Sequence, residues 1–529
     1  MDSDDAKTKE KHNSFINLLA EAGKTISQLT TISQMLQDTV TIKGIQDAFS
    51  TKKVKPSDKV TIRLDGVFPV ETDTWYEWWR GFRNSLKTET SKSRKNKNSE
   101  PSPVMRCFVT GKLINPVPTH SRIDGLAGVG GQPSGDVLVC FDKDAFQSYG
   151  LHQSANAAVS EEAMSAYRAG LNYLIKEHSY TLAGTKVIQW FKGKVEDKDD
   201  IFHSVLETSE EQELNAQILA KKLLKSIKEG KRADLRDNRY YALTLSGAAG
   251  RVMVRDWMEG SFEQLAKNIT QWFDDVEIVS LDGVNPTKLS GMERFITCLL
   301  KPKKAGQKYE DWIKPVGSER FTLLNAAIRG YLIPQDVLSK AVIENRIFIL
   351  SGDLEKLFDS RDGDVSKPML YSILYSRMSL IKAFHLRKQR KDGNIMEELL
   401  QPVLTEKYPD PAYQCGRLMA VLAELQRAAL GNVGAGVIQR YYAAASSTPA
   451  LVIGRLIRNS QFHLNKLEIG LAYWFETKIG EISNNLKNGI PATLTLESQS
   501  LFALGYYQQL AELRARKTKK LKNKTEDVI

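Results

Sequence analysis

The strongest pattern in this chain of 529 residues is the recurrence of apolar positions at helical spacing through its second half. Five segments carry it: Pro368 to Phe384, Ala412 to Ala429, Val437 to Ala445, Leu451 to Trp474 and Leu496 to Leu513. Apolar residues at every third or fourth position give a helix one hydrophobic face. The pattern therefore predicts a helical connector over residues 321–395 and a C-terminal α-helical bundle over residues 396–529.

The first half mixes helical and strand patterns. Helical spacing covers Ser160 to His178, Glu211 to Glu229 and Ser261 to Phe273, whereas Asp136 to Phe141 is typical of a strand and Arg106 to Ile114 of a hairpin. These segments predict an α/β body over residues 101–320. The chain as a whole is expected to be α+β, a mixed N-terminal body with β-hairpins followed by the helical bundle.

Residues 1–100 are predicted to form a small region of their own. The patterns indicate helices at His12 to Ala22 and Thr25 to Gln37, a strand at Lys59 to Pro69 and a short aromatic helix at Trp75 to Arg83. Leu86 to Pro103 is polar and basic and has almost nothing to bury, so it is expected to be a loop.

One hairpin in the body combines cations with aromatic residues. Arg239 to Gly260 reads RYYALTLSGAAGRVMVRDWMEG, two strands rich in aromatic and β-branched residues around a short glycine-containing turn. Since side chains alternate along a strand, we expect one face to carry Arg251, Met253, Arg255 and Trp257, and the other Val252 and Val254. That pattern is typical of a surface that binds a nucleic-acid backbone. It is equally typical of an ordinary half-buried hairpin with arginines on its solvent-exposed side.

Charge and composition narrow the class of protein. Lys and Arg number 74 against 63 Asp and Glu, a net charge of +11 that favours a polyanionic partner. No apolar stretch is long enough to span a bilayer and the polar N-terminus is no signal peptide, so no membrane partner and a cytoplasmic location are predicted. The four cysteines lack metal-ligand spacing and are expected to be buried and reduced.

Catalytic and cofactor motifs are absent from the sequence. The seven histidines form no His-Glu-x-x-His pattern, which argues against a metal-dependent nuclease or a zinc hydrolase. The glycine-rich stretch Gly125 to Gly135 lacks the Gly-Lys-Ser/Thr ending of a phosphate loop, and a strand is expected after it. We therefore predict no metal, no cofactor and no enzymatic activity.

Three blocks of sequence resemble one protein family, the large subunit of type I-C CRISPR Cascade complexes (the Csd family). The first is the hairpin above. The second is Cys107 to Gly150, CFVTGKLINPVPTHSRIDGLAGVGGQPSGDVLVCFDKDAFQSYG, which continues into Asn156 to Ile175. The third is Gly416 to Leu467, GRLMAVLAELQRAALGNVGAGVIQRYYAAASSTPALVIGRLIRNSQFHLNKL. The blocks keep the family's order and span most of residues 100 to 470.

The resemblance implies a subunit that binds target DNA without cutting it. It would recognise a protospacer-adjacent motif in duplex DNA, stabilise the displaced strand and recruit a helicase-nuclease, while the crRNA reads the sequence by base pairing. Its other partners would be the remaining Cascade subunits. The expected DNA-binding residues are Gly128, Gly130, Gly131, Gln132 and Ser134 of the glycine loop, Arg251 and Arg255 of the hairpin, Arg387, Lys388 and Arg390 of the connector, and Arg440, Arg455 and Arg458 of the bundle.

Several alternatives stay open at this point. The glycine loop is equally well explained as a tight irregular turn, and each cationic cluster as a solvated face. The chain as a whole could be a nucleic-acid-processing enzyme with an unrecognised site, or a structural partner subunit that makes no direct DNA contact.

Two further expectations follow from the resemblance. Family members usually begin with another α/β segment before the stretch that starts at Glu10 of this chain, so residues 1–100 are expected to be a remnant of that N-terminal domain. The C-terminal helical region of the family resembles the separate small Cascade subunit, which is often made from an internal start codon. Met396 is the candidate start in this chain.

Overall fold

The computed structural model divides the chain into two compact units, residues 1–102 and 103–529. It describes residues 6–55, 58, 60–64, 66–93, 104–206, 210–281, 291–354, 357, 366–393, 400–431, 436–487 and 489–526. The body combines helices with small antiparallel sheets, and the described part of the C-terminal region is helical, which confirms the predicted α+β class. Met396 lies outside the described residues. The predicted divisions at 320 and 395 stay predictions.

The first unit is helical. Its helices are α1 (Ala6–Gly23), α2 (Ser27–Met35), α3 (Thr39–Thr51) and α4 (Asp73–Ser93). Leu19, Leu29 and Ile32 are buried against the rings of Trp75 and Trp78, because apolar positions recur at helical spacing in α1, α2 and α4.

Two predictions for the first unit were wrong. The described part of the expected strand Lys59 to Pro69 contains a single bridge, between Leu64 and Val67, because no second strand lies beside it. The aromatic helix does not end at Arg83 but continues as α4 to Ser93, so the first residues of the expected loop are helical. Residues 94–103 of that loop lie outside the described residues.

The second unit contains two antiparallel sheets. A short hairpin joins β1 (Met105–Arg106) to β2 (Leu113–Ile114) at the predicted place. The larger sheet has the order β3 (Ser179–Leu182), β4 (Thr185–Phe191), β5 (Arg239–Ala248) and β6 (Arg251–Ser261). β5 and β6 form the predicted hairpin, whereas β3 and β4 were not predicted. Asp136 to Phe141 is no regular strand and contributes only isolated bridges at Asp136 and Val137.

Helices cover the sheet and form the rest of the unit. In the body they are α5 (Glu161–Glu177), α6 (Ile201–Leu206), α7 (Glu210–Lys228), α8 (Ala233–Arg236), α9 (Phe262–Val276), α10 (Met292–Thr297) and α11 (Tyr309–Ile313). Those of the connector and bundle are α12 (Glu319–Arg329), α13 (Gln335–Leu350), α14 (Ser366–Lys391), α15 (Pro411–Leu430), α16 (Val437–Ala445), α17 (Pro449–Leu464), α18 (Ile469–Asn484) and α19 (Leu496–Glu526).

The sheet separates two hydrophobic clusters. Val187, Tyr240 and Ala242 face the larger cluster, which continues through α9 and the connector into the bundle and reaches Leu513. Ile188 and Leu245 face a smaller cluster, beneath α5 and the glycine-rich loop. β4 is covered on both faces, so its neighbouring residues Val187 and Ile188 are both fully buried.

The bundle is held together by a close crossing of α15 and α19. A Cβ atom added at Gly416 would lie 2.0 Å from the carbonyl oxygen of Phe502, and one added at Gly505 would lie 2.2 Å from that of Tyr413. Both distances are shorter than any van der Waals contact. Only glycine at these two positions therefore permits the two backbones to pack directly on each other.

Candidate nucleic-acid interface

The glycine-rich loop is a tight, well-anchored turn. Leu126 and Val129 bury their side chains in the smaller cluster, and Gly130 and Gly135 adopt φ of +87° and +84°, which favour glycine. The fully buried Asp136 accepts the backbone N–H of Gln132 at 3.1 Å and 3.3 Å from its two carboxylate oxygens. These contacts fix the loop backbone and leave Gln132 and Ser134 exposed.

The loop packs directly on the tip of the β5–β6 hairpin. A Cβ atom added at Gly130 would lie 2.7 Å from the carbonyl oxygen of Gly247, and one added at Gly247 would lie 2.1 Å from Cα of Gly131. Val137 continues the contact, because its N–H donates to Gly250 at 2.9 Å and its carbonyl accepts from Val252 at 3.0 Å. Two sequence elements that were predicted separately therefore form one surface.

The hairpin closes through a two-residue turn that suits this contact. Ala249 and Gly250 both have positive φ, +50° and +84°, as a type I′ turn requires. The side-chain amide of Gln132 lies over this turn, since a Cβ atom at Gly250 would be 3.4 Å from its Nε2. The exposed amide of Gln132 and the end of the hairpin are thus neighbours.

The two arginines of the hairpin already make some contacts within the protein. The Arg251 guanidinium is 41% exposed, lies 3.5 Å from the Asp142 carboxylate and stacks over the ring of Phe146 at 5.3 Å. The exposed Arg255 donates from Nε to Oγ of Ser246 at 2.8 Å. Burial lowers the pKa of Arg320, and the positive charge of Arg255 nearby lowers it further. Arg320 is a cation on this side of the sheet that the sequence analysis missed.

A β-bulge changes which hairpin side chains share a face. Leu245 pairs with Val254, but the preceding Thr244 pairs with Asp256, so Arg255 is an extra residue on β6. Arg251, Met253 and Arg255 lie on the face of Ser246, as predicted.

Beyond the bulge the alternation is reversed. Trp257 pairs with Leu243 and points to the opposite face. The expectation that Trp257 joins the arginines was wrong. Its ring instead packs at a tilt against those of Trp190 and Tyr241, at centroid distances of 5.6 Å and 6.1 Å.

The bundle presents a second cationic surface, on α16 and α17. Residues 428–467 contain Arg440, Arg455, Arg458 and Lys466 and no Asp or Glu. All four cations are exposed, and none has an ion-pair or hydrogen-bond partner among the residues that the structure describes. Arg455 and Arg458 are three residues apart on α17 and so lie on one side of that helix.

The third predicted cluster, at the end of α14, differs from the other two because its cations have acidic partners within the protein. Arg387 is 5% exposed; its Nε donates to the buried Asp275 at 2.6 Å and its Nη1 to the carbonyl of Ala326 at 2.7 Å. Arg390 pairs with the same carboxylate, and Lys388 pairs with Glu497 at 2.6 Å. The prediction was wrong for Arg387, because its guanidinium is buried and hydrogen-bonded inside the protein. DNA contacts of Lys388 and Arg390 stay predictions, although both cations form ion pairs within the chain.

Other expectations have simpler outcomes. Cys107, Cys298 and Cys415 are buried as predicted, whereas Cys140 is exposed. Across the described ranges, no group of three or more His, Cys, Asp or Glu side chains could hold a metal ion. No helix in the described part of the chain is both long and apolar enough to cross a bilayer.

A comparison with protein-family models gives a match that covers nearly the whole chain. The family model described as CRISPR-associated protein (Cas_Csd1) matches residues 1–514. No curated protein matches the chain.

Proposed function

This chain belongs to the Csd1 family of CRISPR-associated proteins, and from that membership we propose that it is the large subunit of a type I-C antiviral surveillance complex. In that complex a crRNA pairs with the target strand, and the remaining subunits hold the guide. The chain's own task is to bind target DNA, recognise the flanking motif, hold the displaced strand and recruit the helicase-nuclease.

The observation that carries the proposal is the packing of the glycine loop on the hairpin tip. It places the exposed side chain of Gln132 over the Ala249–Gly250 turn, directly before Arg251. Arg255 extends the cationic surface on the opposite face of the hairpin, beside Ser246. Amide and hydroxyl groups can hydrogen-bond to base edges in a groove, while guanidinium groups suit phosphates. Gly128 has no atom within 4 Å of its Cβ position, so its backbone is open to a closely approaching DNA strand.

The cationic surface of α16 and α17 supports the second task, which is to hold the displaced single strand. Four exposed cations without an acidic residue nearby in sequence attract phosphates along a continuous stretch. Tyr441 lies beside Arg440 on α16 and is half-buried, so an aromatic ring accompanies the charge. Aromatic rings and cations together are typical of sites that bind single strands without sequence preference.

We propose that the chain itself does not catalyse strand cleavage. Its part in interference is to position DNA for a recruited helicase-nuclease, which supplies the chemistry. A cleavage assay on the purified chain separates this proposal from the alternative of a nuclease with an unrecognised site.

The motif-reading proposal is tested in the reconstituted complex with a panel of duplexes that differ only in the flanking bases. Gln132→Ala should relax discrimination at one flanking position by about 1–3 kcal/mol, because a base-edge hydrogen bond is lost. Arg255→Ala should weaken binding to every duplex alike and reduce the salt dependence by about one phosphate contact.

Lys407→Ala, a change at an exposed lysine in the loop before α15, is the control and should alter neither property. The motif-reading proposal is overturned if the complex with Gln132→Ala discriminates between the duplexes as fully as the unaltered complex does.

A further inference from the structure

A pocket lies between α15, α16 and α17, next to the cationic surface. Its volume is about 160 Å³. Leu422, Val437 and Leu456 give it an apolar floor, and its polar lining consists of Gln426, Arg440, Tyr441, Asn459, Ser460 and His463. An apolar floor with a few convergent polar groups is typical of small-ligand sites.

The helix spacing explains why these side chains converge. One face of α17 carries the four lining residues at positions i, i+3, i+4 and i+7, which are Leu456, Asn459, Ser460 and His463. Arg455 is four residues before Asn459 and borders the same face. Arg440 lines the pocket, and Arg455 therefore stands at its edge.

Several polar groups of the lining lack partners among the residues that the structure describes. Nδ1 of His463 is buried and has no hydrogen-bond partner there. The amide of Asn459 and the hydroxyl of Tyr441 likewise have none among the described residues, although both side chains are partly buried. A buried polar atom without a partner has a free-energy cost, which a ligand that hydrogen-bonds to it removes.

His463 is suited to neutral hydrogen bonding. Burial lowers its pKa, and the charge of Lys466 lowers it further. The ring is therefore neutral at physiological pH, and its free Nδ1 can accept a hydrogen bond or donate one according to the tautomer.

The size of the pocket limits what it can hold. A cavity of about 150 Å³ is known to hold one benzene ring, so this pocket fits a single six-membered ring with small polar substituents. The charged residues of α16 and α17 are all cations, which favours a ring carried on a phosphate chain.

We propose that this pocket accepts one unstacked, pyrimidine-sized base of the displaced strand, while Arg440, Arg455 and Arg458 hold the phosphates on either side. Asn459 and His463 would hydrogen-bond to the base edge, and Tyr441 would contact its ring. This inference rests on the proposed function, because it assumes that a single strand lies on α16 and α17.

The test measures binding of the full chain to two oligonucleotides of roughly twelve nucleotides, within the site sizes known for single-strand binders. One is made of thymidines and the other is an abasic chain of equal charge. The unaltered protein should bind the thymidine strand about tenfold more tightly, since contact with a base is lost in the abasic chain.

Asn459→Leu replaces the amide of the pocket lining by an apolar group of nearly the same shape. It should lower the affinity for the thymidine strand toward that for the abasic chain, without changing the latter. Gln461→Leu adds the same side chain at an exposed neighbouring position and should change neither affinity. Equal affinity of the unaltered protein for both strands would overturn the proposal that the pocket binds a base, but it would not contradict the proposed function. Salt-independent or absent binding of both would overturn the proposed function as well.

A second measurement needs no variant. Strands with 5-iodouracil in place of thymine form photochemical crosslinks to the side chains that hold the base. Crosslinks at Tyr441 or His463 support the pocket, and crosslinks confined to residues elsewhere overturn it.

Discussion

At the loop–hairpin contact, Gly130 and Gly247 leave no space for a side chain. Gly130 has a positive φ, and its hydrogen faces the carbonyl oxygen of Gly247. The sequence indicated that glycines in this loop and this turn tolerate unusual backbone angles. It did not indicate that Gly130 and Gly247 pack against each other. That contact joins residues more than a hundred positions apart, which no local pattern records.

Gly130→Ala should therefore lower the free energy of unfolding by about 1–3 kcal/mol, the usual cost of a left-handed conformation at a residue other than glycine. The added methyl group also collides with Gly247. Gly128→Ala is the matched control, because Gly128 has an ordinary φ and open space at its Cβ position. Denaturant unfolding of the two variants measures the difference, and equal stability would contradict the contact.

Lys382 shows what burial does to a single cation. It is fully buried in α14, and its Nζ lies 3.4 Å from the carbonyl oxygen of Asp274. Burial lowers its pKa to about 8, although the charge of Asp275 opposes the shift. The unfolded chain therefore binds more protons than the folded chain between pH 8 and the ordinary lysine pKa.

Stability contributed by Lys382 should accordingly rise with pH through this window and be lowest at pH 8 and below. Lys382→Met removes the penalty, so we expect the variant to be more stable than the unaltered protein near pH 7 by up to roughly 3 kcal/mol. The gain should shrink by pH 10. The measurement is the free energy of unfolding of both proteins at pH 7 and pH 10. A gain in stability that is independent of pH would contradict burial of the charged ammonium as its cause.

At the scale of elements, the hydrophobic pattern predicted the helices well and the sheet only in part. The hairpin was predictable because its strands alternate around a turn rich in glycine. β3 and β4 were missed because β4 is buried on both faces and lacks the alternation that marks a half-buried strand. The bulge at Arg255 is set by the pairing of β5 with β6, so the reversed face of Trp257 could not be read from β6 alone.

The sequence also could not separate exposed cations from paired ones. The exposed arginines of α16 and α17 and the paired ones of α14 look alike in sequence. Only the tertiary structure reveals that Asp275 and Glu497, far away in the chain, lie against the α14 group.

This difference predicts the effect of charge removal on single-strand binding. Replacing Arg440, Arg455 and Arg458 together by Ala should reduce the slope of log affinity against log salt by about 2, since about 0.7 of a counterion is released per phosphate contact on single strands. The matched control replaces Lys198, Lys231 and Lys314, three exposed cations that each have an ion-pair partner. Titrations at several salt concentrations should leave the slope of the control unchanged. A similar loss in both variants would mean that net charge, and not the α16–α17 surface, governs binding.

At the scale of the whole molecule, the family match and the fold agree with a subunit that works inside a larger complex. The larger hydrophobic cluster runs from the sheet to the end of the bundle without interruption, so the surfaces on the hairpin and on α16–α17 belong to one compact unit.

We expect the purified chain to leave single- and double-stranded DNA and RNA intact in the presence of Mg²⁺ or Mn²⁺, because its proposed task is binding. Degradation of target DNA should begin only when the helicase-nuclease and the guide-loaded complex are added. Gel analysis of end-labelled substrates measures this. Reproducible cleavage by the chain alone, which a single substitution then abolishes, would favour the nuclease alternative.

The contact between the glycine loop and the hairpin tip also bears on engineering. A designer who wishes to alter motif preference would be inclined to transplant the loop by itself from a relative. Because Gly130 and Gly131 touch Gly247 directly, a graft of different length or composition would meet a foreign partner. The two segments should instead be exchanged together, as a single cassette.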